Sequence, residues 1–480
     1  MVLFIVILSF FVASALSLII RKRFVAGVAS LIASFISVIG AIYICLHVVS
    51  QGEYRPFSFT LIDPLSALTV LIITFVGLMT TIYSLPYLNR EIDKKIIGPT
   101  RFRQYFVLTN LFMAFMLLSV TAANPIAAWI FLEGTTLSTA FLISFYNKPS
   151  TIEAAWKYLI INSTGLLLGF FGTLLFFTAS AEGGSIVTWE TLLQQAQTVD
   201  PAIIKIAFVF VLIGFGTKVG LAPMHTWKPD AYSKAPAPIG ALLSGALMPV
   251  AFTLILKFKH ITDAAVGVSF SSQLLISLGI LSLVVAALSI FTVRNYKRLL
   301  GYSSIEHAGL IALGFGVGGI GMFAAILHTM YHSLIKSGLF YASGNLLLKY
   351  NSAHMVGVRG ASKVVPVTAT LLVIGVLAAT GLPPFGLFLT ELYIFSRGIA
   401  VSPIITIVAI VAVALIFVGF LRHVSRMVFG EQPEEVKEGE LNKWLLVPPI
   451  VMVLAVLILS FYIPPFIYDL IQASVKEYSL

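Results

Sequence analysis

Two interrupted apolar stretches decide the fold of this chain: GFGTKVGLAPMH (214–225) and GLPPFGLFLTE (381–391). Each of them places glycines and prolines inside a long apolar run. Because proline lacks a backbone donor and clashes with the preceding helical turn, we expect each run to form a broken helix. In a membrane, the backbone groups that such a break frees must line a cavity or bind a polar partner. Both stretches therefore mark candidate functional sites.

The composition places most of the chain in a lipid bilayer. Of its 480 residues, 59% are hydrophobic and only 10% are charged. Soluble domains carry about a quarter of charged residues, so a single water-soluble globule is excluded. In a membrane protein, the net charge of +10 indicates which loops face the cytoplasm, because cytoplasmic loops are enriched in Lys and Arg. The charge therefore does not indicate a nucleic-acid partner, and none is expected. The single cysteine, Cys45, excludes a disulfide framework, an iron–sulfur site and a thiolate zinc site.

Fourteen continuous apolar runs are long enough to cross a bilayer as helices, which takes about 20 residues each. They cover approximately residues 2–20, 24–49, 64–86, 104–122, 125–146, 155–180, 201–223, 237–258, 270–293, 303–319, 321–348, 364–396, 402–428 and 444–468. The runs are continuous rather than alternating, which indicates helices and not the strands of a barrel. We therefore predict an all-α polytopic membrane protein with about 14 transmembrane helices.

The positive charges predict the orientation of the chain. Most of the 30 Lys and Arg residues follow odd-numbered runs. Five follow even-numbered runs, namely Arg55, Lys205, Lys257, Lys259 and Arg397. Since cytoplasmic loops carry the excess of positive charge, the odd-numbered loops are predicted to be cytoplasmic and both termini to lie outside the cell membrane. Arg21 and Arg23 follow the first run instead of preceding it, so we expect no cleaved signal peptide.

The positions of the two breaks predict an inverted repeat. They fall in the seventh and twelfth runs, which are five runs apart and so cross the membrane in opposite senses. Matched broken helices in two halves indicate ion or substrate sites near the midplane, although single proline kinks are also common. The predicted units are helices 1–3 in residues 1–103, a first five-helix unit in 104–258, a second in 259–430, and an acidic loop with the last helix in 431–480.

Four charged residues lie deep within the predicted spans: Glu133, Lys218, Lys336 and Glu391. Each costs roughly 2.5–3.5 kcal/mol at the bilayer centre on insertion scales. One interpretation is structural, with one salt bridge between Glu133 and Lys218 and another between Glu391 and Lys336. Buried ion pairs seldom stabilise a fold relative to apolar substitutes. We therefore favour a relay that moves protons.

His328, His332 and Lys336 are spaced by four residues and so line one face of the eleventh span. Histidine titrates near neutrality, which makes this row a candidate proton wire. A metal site built on the two histidines lacks carboxylate partners, so no metal is expected. Lys157, at the start of the sixth span, either extends its amine to the membrane surface or pairs with Glu133.

Five ordered segments carry a family resemblance. They are FLEGTTLSTAFLISFY (131–146), GFGTKVGLAPMHTWKPDAYSKAPAPIGALLSG (214–245), YKRLLGYSSIEHAGLIALG (296–314), HTMYHSLIKSGLFYASG (328–344) and GLPPFGLFLTELYIF (381–395). Over roughly residues 60 to 430, the chain resembles the antiporter-like proton-translocating membrane subunits. That family includes large membrane subunits of NADH-quinone oxidoreductase, of multisubunit cation/proton antiporters and of membrane-bound hydrogenases.

The resemblance implies a fourteen-helix core with two inverted five-helix units and a relay of seven residues. These are Glu133, Lys157, Lys218, His328, His332, Lys336 and Glu391. The first three would form the first half-channel, with Lys157 tuning Glu133. The histidines and Lys336 would bridge the halves, and Glu391 would lead to the outer exit.

The chain departs from the family pattern at several positions. Some members carry a lysine in the eighth span, where this chain has Ser244 and Pro249. Glu391 stands where many members have lysine, and Asn295 where many have aspartate. The chain also stops soon after the last span, so the long lateral helix of the longest members is not expected. GLPPFG with a following glutamate favours the hydrogenase-type branch.

The expected function is that of a proton-pumping membrane subunit in a redox-driven or antiporter complex, of the hydrogenase or complex I type. Its expected partners are other membrane subunits, a peripheral redox module and the lipid bilayer, with protons or sodium ions as the cargo. No nucleophile–base set or phosphate loop is present, so no cofactor and no redox or hydrolytic centre of its own is expected. The alternatives are a sodium/proton exchange subunit and a non-transporting scaffold subunit with its polar residues locked in pairs.

Overall fold

The computed structural model describes residues 1–180 and 187–479. Most of these residues belong to helices, which are joined by turns and short loops. Pairing of the β type is limited there to isolated bridges, namely Tyr54 with Ile62, Thr60 with Ala122 and Asn295 with His354. The predicted all-α class is therefore confirmed. Apolar side chains that face outward are frequent on the outer helices, as expected for a protein whose solvent is lipid.

Twenty α-helices follow one another in the described chain. The first half contains α1 (Val2–Ile19), α2 (Arg23–Gln51), α3 (Pro64–Asp93), α4 (Pro99–Thr121), α5 (Pro125–Ile143), α6 (Pro149–Ser180), α7 (Trp189–Gln195), α8 (Pro201–Val219), α9 (Trp227–Lys234), α10 (Ala237–Leu242) and α11 (Met248–Val266). The second half contains α12 (Val268–Ile290), α13 (Tyr296–Val317), α14 (Ile320–Tyr350), α15 (Ala361–Val364), α16 (Pro366–Ala379), α17 (Gly386–Val401), α18 (Pro403–Phe429), α19 (Val447–Phe461) and α20 (Pro465–Tyr478). A π-helical turn, Leu243–Leu247, joins α10 to α11.

Each of the fourteen predicted spans contains helix, but the described segments divide into two kinds. Eleven are long and apolar enough to cross a bilayer, counting α10, the π turn and α11 as one. The tenth, eleventh and twelfth spans fall outside that set. Buried acidic, basic and imidazole side chains on α13, and buried basic and imidazole side chains on α14, lower the hydropathy of these two helices. The twelfth span consists of the shorter helices α16 and α17.

Both predicted breaks are present, and the two helices end in the same way. At the first, α8 ends before Gly220, and the Leu221 N–H donates to the Gly216 carbonyl at 3.0 Å. At the second, α16 ends before Gly381, and the Leu382 N–H donates to the Leu377 carbonyl at 3.1 Å. Gly220 (φ 82°) and Gly381 (φ 65°) adopt the left-handed region, which glycine enters without steric cost.

The innermost helix is α14, which packs against α13, α16, α17 and α19, and against α3 and α10 from the first half. The continuous span of α10, the π turn and α11 lies buried beside it. In contrast, α1, α2, α12 and α18 turn much of their apolar surface outward. Polar groups on α13, α14 and the π turn are thereby removed from both lipid and bulk water.

The structure corrects two boundaries. The tenth span begins at Tyr296 rather than near 303, because the Asn295 side chain accepts from the Lys297 and Arg298 N–H groups and caps α13. Glu306, assigned from the sequence to a span start, therefore lies in the middle of a helix. After the first break, the stretch that contains Pro229 forms the short helix α9, which separates the break from the predicted eighth span.

Gly309 allows α12 and α13 to touch through their backbones. A Cβ atom at Gly309 would lie 2.7 Å from the Gly279 carbonyl oxygen, and one at Gly279 would lie 2.8 Å from the Gly309 carbonyl oxygen. Since the obstacle is backbone in both directions, neither helix can make room by changing a rotamer. The close approach thus fixes the position of α13, which carries several buried polar residues.

We expect Gly309→Ala to lower the stability of the purified protein by roughly 1–3 kcal/mol, as overpacking of a close interior contact does. Thermal unfolding in detergent, followed by intrinsic fluorescence, measures the effect. Gly98→Ala is the matched control, because a Cβ atom at Gly98 meets nothing within 4 Å. Equal midpoints for the two variants would show that the two helices separate at little cost.

Candidate functional site

The first polar cluster joins a carboxylate to a buried amine through a hydroxyl. Glu133 on α5 is half-buried, and Lys218 on α8 is 1% exposed. The Thr136 hydroxyl donates to Glu133 Oε2 at 2.9 Å and accepts from Lys218 Nζ at 2.8 Å. Within the described residues, these two charged groups form no direct ion pair. The structural interpretation that paired Glu133 directly with Lys218 is therefore wrong.

Further hydroxyls complete the surroundings of this cluster. Lys218 Nζ donates to the Tyr158 hydroxyl at 2.9 Å, and the Tyr158 hydroxyl lies 2.6 Å from the Thr139 hydroxyl. The Ser163 hydroxyl donates to the other oxygen of Glu133 at 2.7 Å. Neutral groups thus solvate the buried amine, and each hydroxyl can both accept and donate a proton.

Lys157 lies away from this cluster, at the end of the bundle where α9 is found. Its Nζ is 2.6 Å from the Glu153 carboxylate and 3.4 Å from that of Asp230, and its side chain is 47% exposed. Asp230 also receives Arg298 from α13, at 2.8 Å. The structure therefore does not bring Lys157 to Glu133. Instead, Lys157 belongs to a partly exposed ion network that links α6, α9 and α13.

Lys228 on α9 is a fully buried amine that was not among the predicted relay residues. Its Nζ donates to the Val219 carbonyl at 2.7 Å and to the Ser304 carbonyl at 3.3 Å. Val219 is the last residue of α8, so its carbonyl has no partner within the helix. The break in the seventh span thus supplies a ligand for a second lysine. In the sequence, the large aromatic residues Trp227 and Tyr232 were the signal that this segment lies inside the protein. The structure shows both of them buried.

The π turn brings the first half into contact with the histidines. The Ser244 hydroxyl lies 2.9 Å from the Ser304 hydroxyl on α13 and 3.4 Å from His332 Nε2 on α14. All three side chains are fully buried. Ser244 falls in the segment where some members of the resembled family carry a lysine. Here that segment contributes a hydroxyl, and the nearby amine comes from Lys228.

Three imidazoles form one row of tilted rings, and one of them was not predicted. His307 on α13 lies between the rings of His332 and His328, at centroid distances of 4.8 and 5.1 Å. His307 Nδ1 and His328 Nε2 are 2.8 Å apart, so one of these nitrogens donates to the other. His328 Nδ1 in turn lies 2.8 Å from the Thr390 hydroxyl on α17. The predicted pair of histidines is thus a row of three that extends to the second broken helix.

A second amine–hydroxyl–carboxylate set lies beside this row. Lys336 Nζ donates to the Ser303 hydroxyl, which donates to Glu306 Oε2 at 3.2 Å. Both charged residues are buried, and among the described residues they form no direct ion pair. Glu306 was missed because its span was predicted to begin near 303. Its position as a mid-helix carboxylate repeats that of Glu133 on α5.

Glu391 lies at the second break, where its carboxyl group packs directly against the backbone of Gly381. The side chain is 6% exposed, and its Oε1 atom has no hydrogen-bond partner among the described residues. Lys336 donates to Ser303 and not to Glu391, so the second predicted salt bridge is also wrong. Glu391 directly follows Thr390 on α17, and its carboxyl group lies where α16 ends, beside Gly381.

The arrangement suits the transfer of protons between fixed groups. Three buried amines (Lys218, Lys228 and Lys336) and three carboxyl groups (Glu133, Glu306 and Glu391) are separated by hydroxyls and imidazoles. Hydroxyl and imidazole groups both donate and accept, so they can pass protons on. No group of three or more metal-ligating His, Cys, Asp or Glu side chains occurs in the part of the chain that the structure describes.

Comparisons with known proteins identify the family and the fold of the chain. Residues 122–417 match the family model "NADH:quinone oxidoreductase/Mrp antiporter, TM", and residues 56–102 match that of the N-terminus of chain 5 of NADH-ubiquinone oxidoreductase (complex I). The hydrogenase-4 component F homolog of Methylacidiphilum infernorum is 34% identical over 446 residues, which are 92% of this chain and 92% of the relative.

Solved structures have the same fold. A chain of the archaeal membrane-bound sulfane sulfur reductase superimposes with a TM-score of 0.89 at 21% identity, covering 99% of this chain and 96% of its own length. A chain of the Mrp complex from Dietzia sp. DQ12-45-1b gives a TM-score of 0.87 at 17% identity, with coverage of 99% and 97%. The first family model spans more than half of the chain, and the match to the Methylacidiphilum infernorum relative covers 92% of the chain. The chain therefore belongs to the NADH:quinone oxidoreductase/Mrp antiporter family of membrane subunits.

Proposed function

We propose that this chain is a proton-translocating membrane subunit of a multisubunit complex of the hydrogenase or complex I type. The observation that carries the proposal is the set of titratable groups and hydroxyls, most of them buried, that are distributed from Glu133 on α5 to Glu391 on α17. Its members come from both broken helices and from the helices between them. A charge buried in the membrane is costly and in general marks an ion pathway.

The proposed first step takes place at Lys218. The Glu133 carboxylate stabilises the Lys218 ammonium through Thr136, without contacting it directly. A change in the charge or position of Glu133 would therefore change how firmly Lys218 holds its proton. Coulomb interactions are strong in a water-poor interior, so a small displacement suffices. The released proton would move towards Lys228 and the Ser304–Ser244 pair.

The histidine row carries the proton through the second half. His332, His307 and His328 lead to Thr390, and Glu391 serves as the terminal acceptor. Lys336 and Glu306, joined by Ser303, lie beside this row and set the local charge. In this proposal Lys157 acts from outside the row, through Asp230 on α9. In the proposal, residues 104–258 and 259–430 are the two repeat units, and the matching helix ends at the two breaks support this division.

The proposed setting is a complex in the cell membrane with other membrane subunits and a peripheral redox module. The relative in Methylacidiphilum infernorum is named as a component of hydrogenase-4, and the solved chains belong to multisubunit membrane complexes. In this setting the redox chemistry belongs to partner subunits. The charge bias of the loops supports a cytoplasmic position for the odd-numbered loops and an outer position for both termini.

Replacing the buried amine at the first break tests the relay. We expect Lys218→Met to lower proton flux by the complex reconstituted in vesicles by about a hundredfold, a typical effect of removing a positioned proton carrier. A pH-sensitive dye inside the vesicles reports the flux. Lys205→Met is the matched control, because Lys205 lies on the same helix but is exposed and rests over the Phe270 ring.

The same assay separates the alternatives. Normal flux in Lys218→Met, with Lys205→Met also normal, would contradict the relay. If the complex fails to assemble only when Lys218 is replaced, and flux per assembled complex is unchanged, the chain is a scaffold. If wild-type flux requires sodium in the opposite compartment, the chain belongs to a sodium/proton exchanger.

A second test addresses the hydroxyl that joins Glu133 to Lys218. Thr136→Val keeps the volume and removes two hydrogen bonds to charged groups, so we expect a five- to tenfold lower flux, about 1–1.4 kcal/mol. Thr135→Val is the matched control, since its equally buried hydroxyl donates only to the Leu132 carbonyl of its own helix. Equal flux in both variants would mean that the charged groups communicate by another route.

Orientation is tested by labelling single cysteines. We expect an impermeant maleimide to label Glu53→Cys in intact cells, because Glu53 follows the second span, and to label Glu435→Cys only after permeabilisation. Both positions are exposed, and the native Cys45 is buried, so it contributes no background. Labelling in the reverse order would invert the proposed topology.

A further inference from the structure

A cationic cavity lies at the ends of α12 and α18, away from the relay. Its volume is 430 Å³, and its lining includes Arg294, Arg359, Arg422, Arg426 and His423. The described residues that line it include no acidic side chain. None of the four arginines forms an ion pair with a carboxylate of the described chain, and all four are exposed. Four guanidinium groups without counter-charges provide the chemistry that binds phosphate oxygens.

Hydrogen bonds to backbone carbonyls connect the chain segments that carry these arginines. The Met355 N–H donates to the Arg294 carbonyl at 3.0 Å, and the Tyr296 N–H donates to the Ala353 carbonyl at 3.2 Å. His423 Nε2 lies 3.0 Å from the Ile290 carbonyl near the end of α12, which ties α18 to that helix. The rim is thus assembled from three separate segments of the chain. Its shape does not depend on a single mobile loop.

Exposed apolar side chains extend from the cavity along α18 and α12. On α18, exposed apolar side chains recur at helical spacing and lead up to Arg422 and Arg426. They are Ile404, Ile407, Val411, Leu415 and Val418. On the neighbouring α12, Leu281, Leu288 and Phe291 are exposed as well. Residues spaced by three and four lie on one face of a helix, so this row forms a stripe.

We propose that this cavity and the adjoining apolar faces of α12 and α18 bind an anionic phospholipid, with its phosphate among the four arginines and its acyl chains along the two helices. The feature that favours a lipid is the apolar stripe in register with the arginines. A free phosphate would contact the arginines and leave the apolar stripe without a ligand. An acidic segment of a partner protein would bind the arginines as well, but it has no acyl chain to cover the stripe. Basic pockets between membrane helices bind lipid headgroups by the same chemistry. The inference is independent of the proposed proton relay.

The test uses the purified full-length chain in a neutral detergent, titrated with phosphatidylglycerol and, separately, with phosphatidylcholine. Native mass spectrometry counts bound lipids and gives Kd. We expect phosphatidylglycerol to bind more tightly than phosphatidylcholine. We expect Arg422→Gln/Arg426→Gln to weaken its binding about 30-fold, since each basic residue near a membrane surface contributes about fivefold.

Arg21→Gln/Arg23→Gln is the matched control, because it removes two exposed arginines from another loop, and it should leave Kd unchanged. Equal binding of the two lipids, or an unchanged Kd in the Arg422/Arg426 variant, would overturn the proposal. Inorganic phosphate that displaces the lipid at equal concentration would indicate a site for a free anion. Loss of the lipid when the chain is isolated as part of its complex would indicate a partner's acidic segment as the occupant. Either of these results also overturns the proposal.

Discussion

The structure depends on the cost of holding charge inside a membrane. Buried ion pairs form elsewhere in this chain, between Asp63 and Lys257 and between Asp263 and Lys259. The charged groups of the relay, in contrast, form no direct pair with one another within the described residues. Hydroxyls lie between them instead, with Thr136 joining Lys218 to Glu133 and Ser303 joining Lys336 to Glu306. A direct buried pair is locked, because separating it leaves an uncompensated charge. A pair joined through a hydroxyl is stabilised less, so its protons can move.

The broken helices supply part of that stabilisation. An intact helix satisfies its own carbonyls, whereas a helix that ends inside the protein presents unpaired ones. The end of α8 offers the Val219 carbonyl to Lys228, and the break at Gly381 lets the Glu391 carboxyl reach the backbone. In both cases glycine in the left-handed region ends the helix without a steric penalty. Sequence features that decide the fold therefore also build the site.

Features that depend on local chemistry could be predicted from the sequence, whereas contacts between helices could not. The helices, the two breaks and the face that carries His328, His332 and Lys336 are set by periodicity and by proline. The expectation that Lys157 meets Glu133 came from family resemblance, and the structure shows it paired with Glu153 and Asp230. Glu306 and His307 were overlooked because the start of α13 is rich in polar residues, so its first turns were predicted as a loop and both residues were placed near the edge of the span. Asn295, a preferred residue for a helix N-cap, was the signal in the sequence that could have placed this start, and the structure shows it in that position.

The substitution in the eighth span illustrates how the site tolerates change. Where some relatives carry a lysine in that span, this chain has Ser244 in a π turn, and the buried amine in this region belongs to Lys228 on α9. Lys228 Nζ lies 3.8 Å from Met248 Sδ, at the start of α11, and it also contacts the Ser304 carbonyl. A π turn adds one residue to a helical turn and redirects the side chains it contains. Ser244 thereby reaches both Ser304 and His332, so a hydroxyl on one helix and an amine on another connect the two halves. At this point of the chain, an amine on α9 and a hydroxyl in the π turn therefore both contact Ser304 of α13.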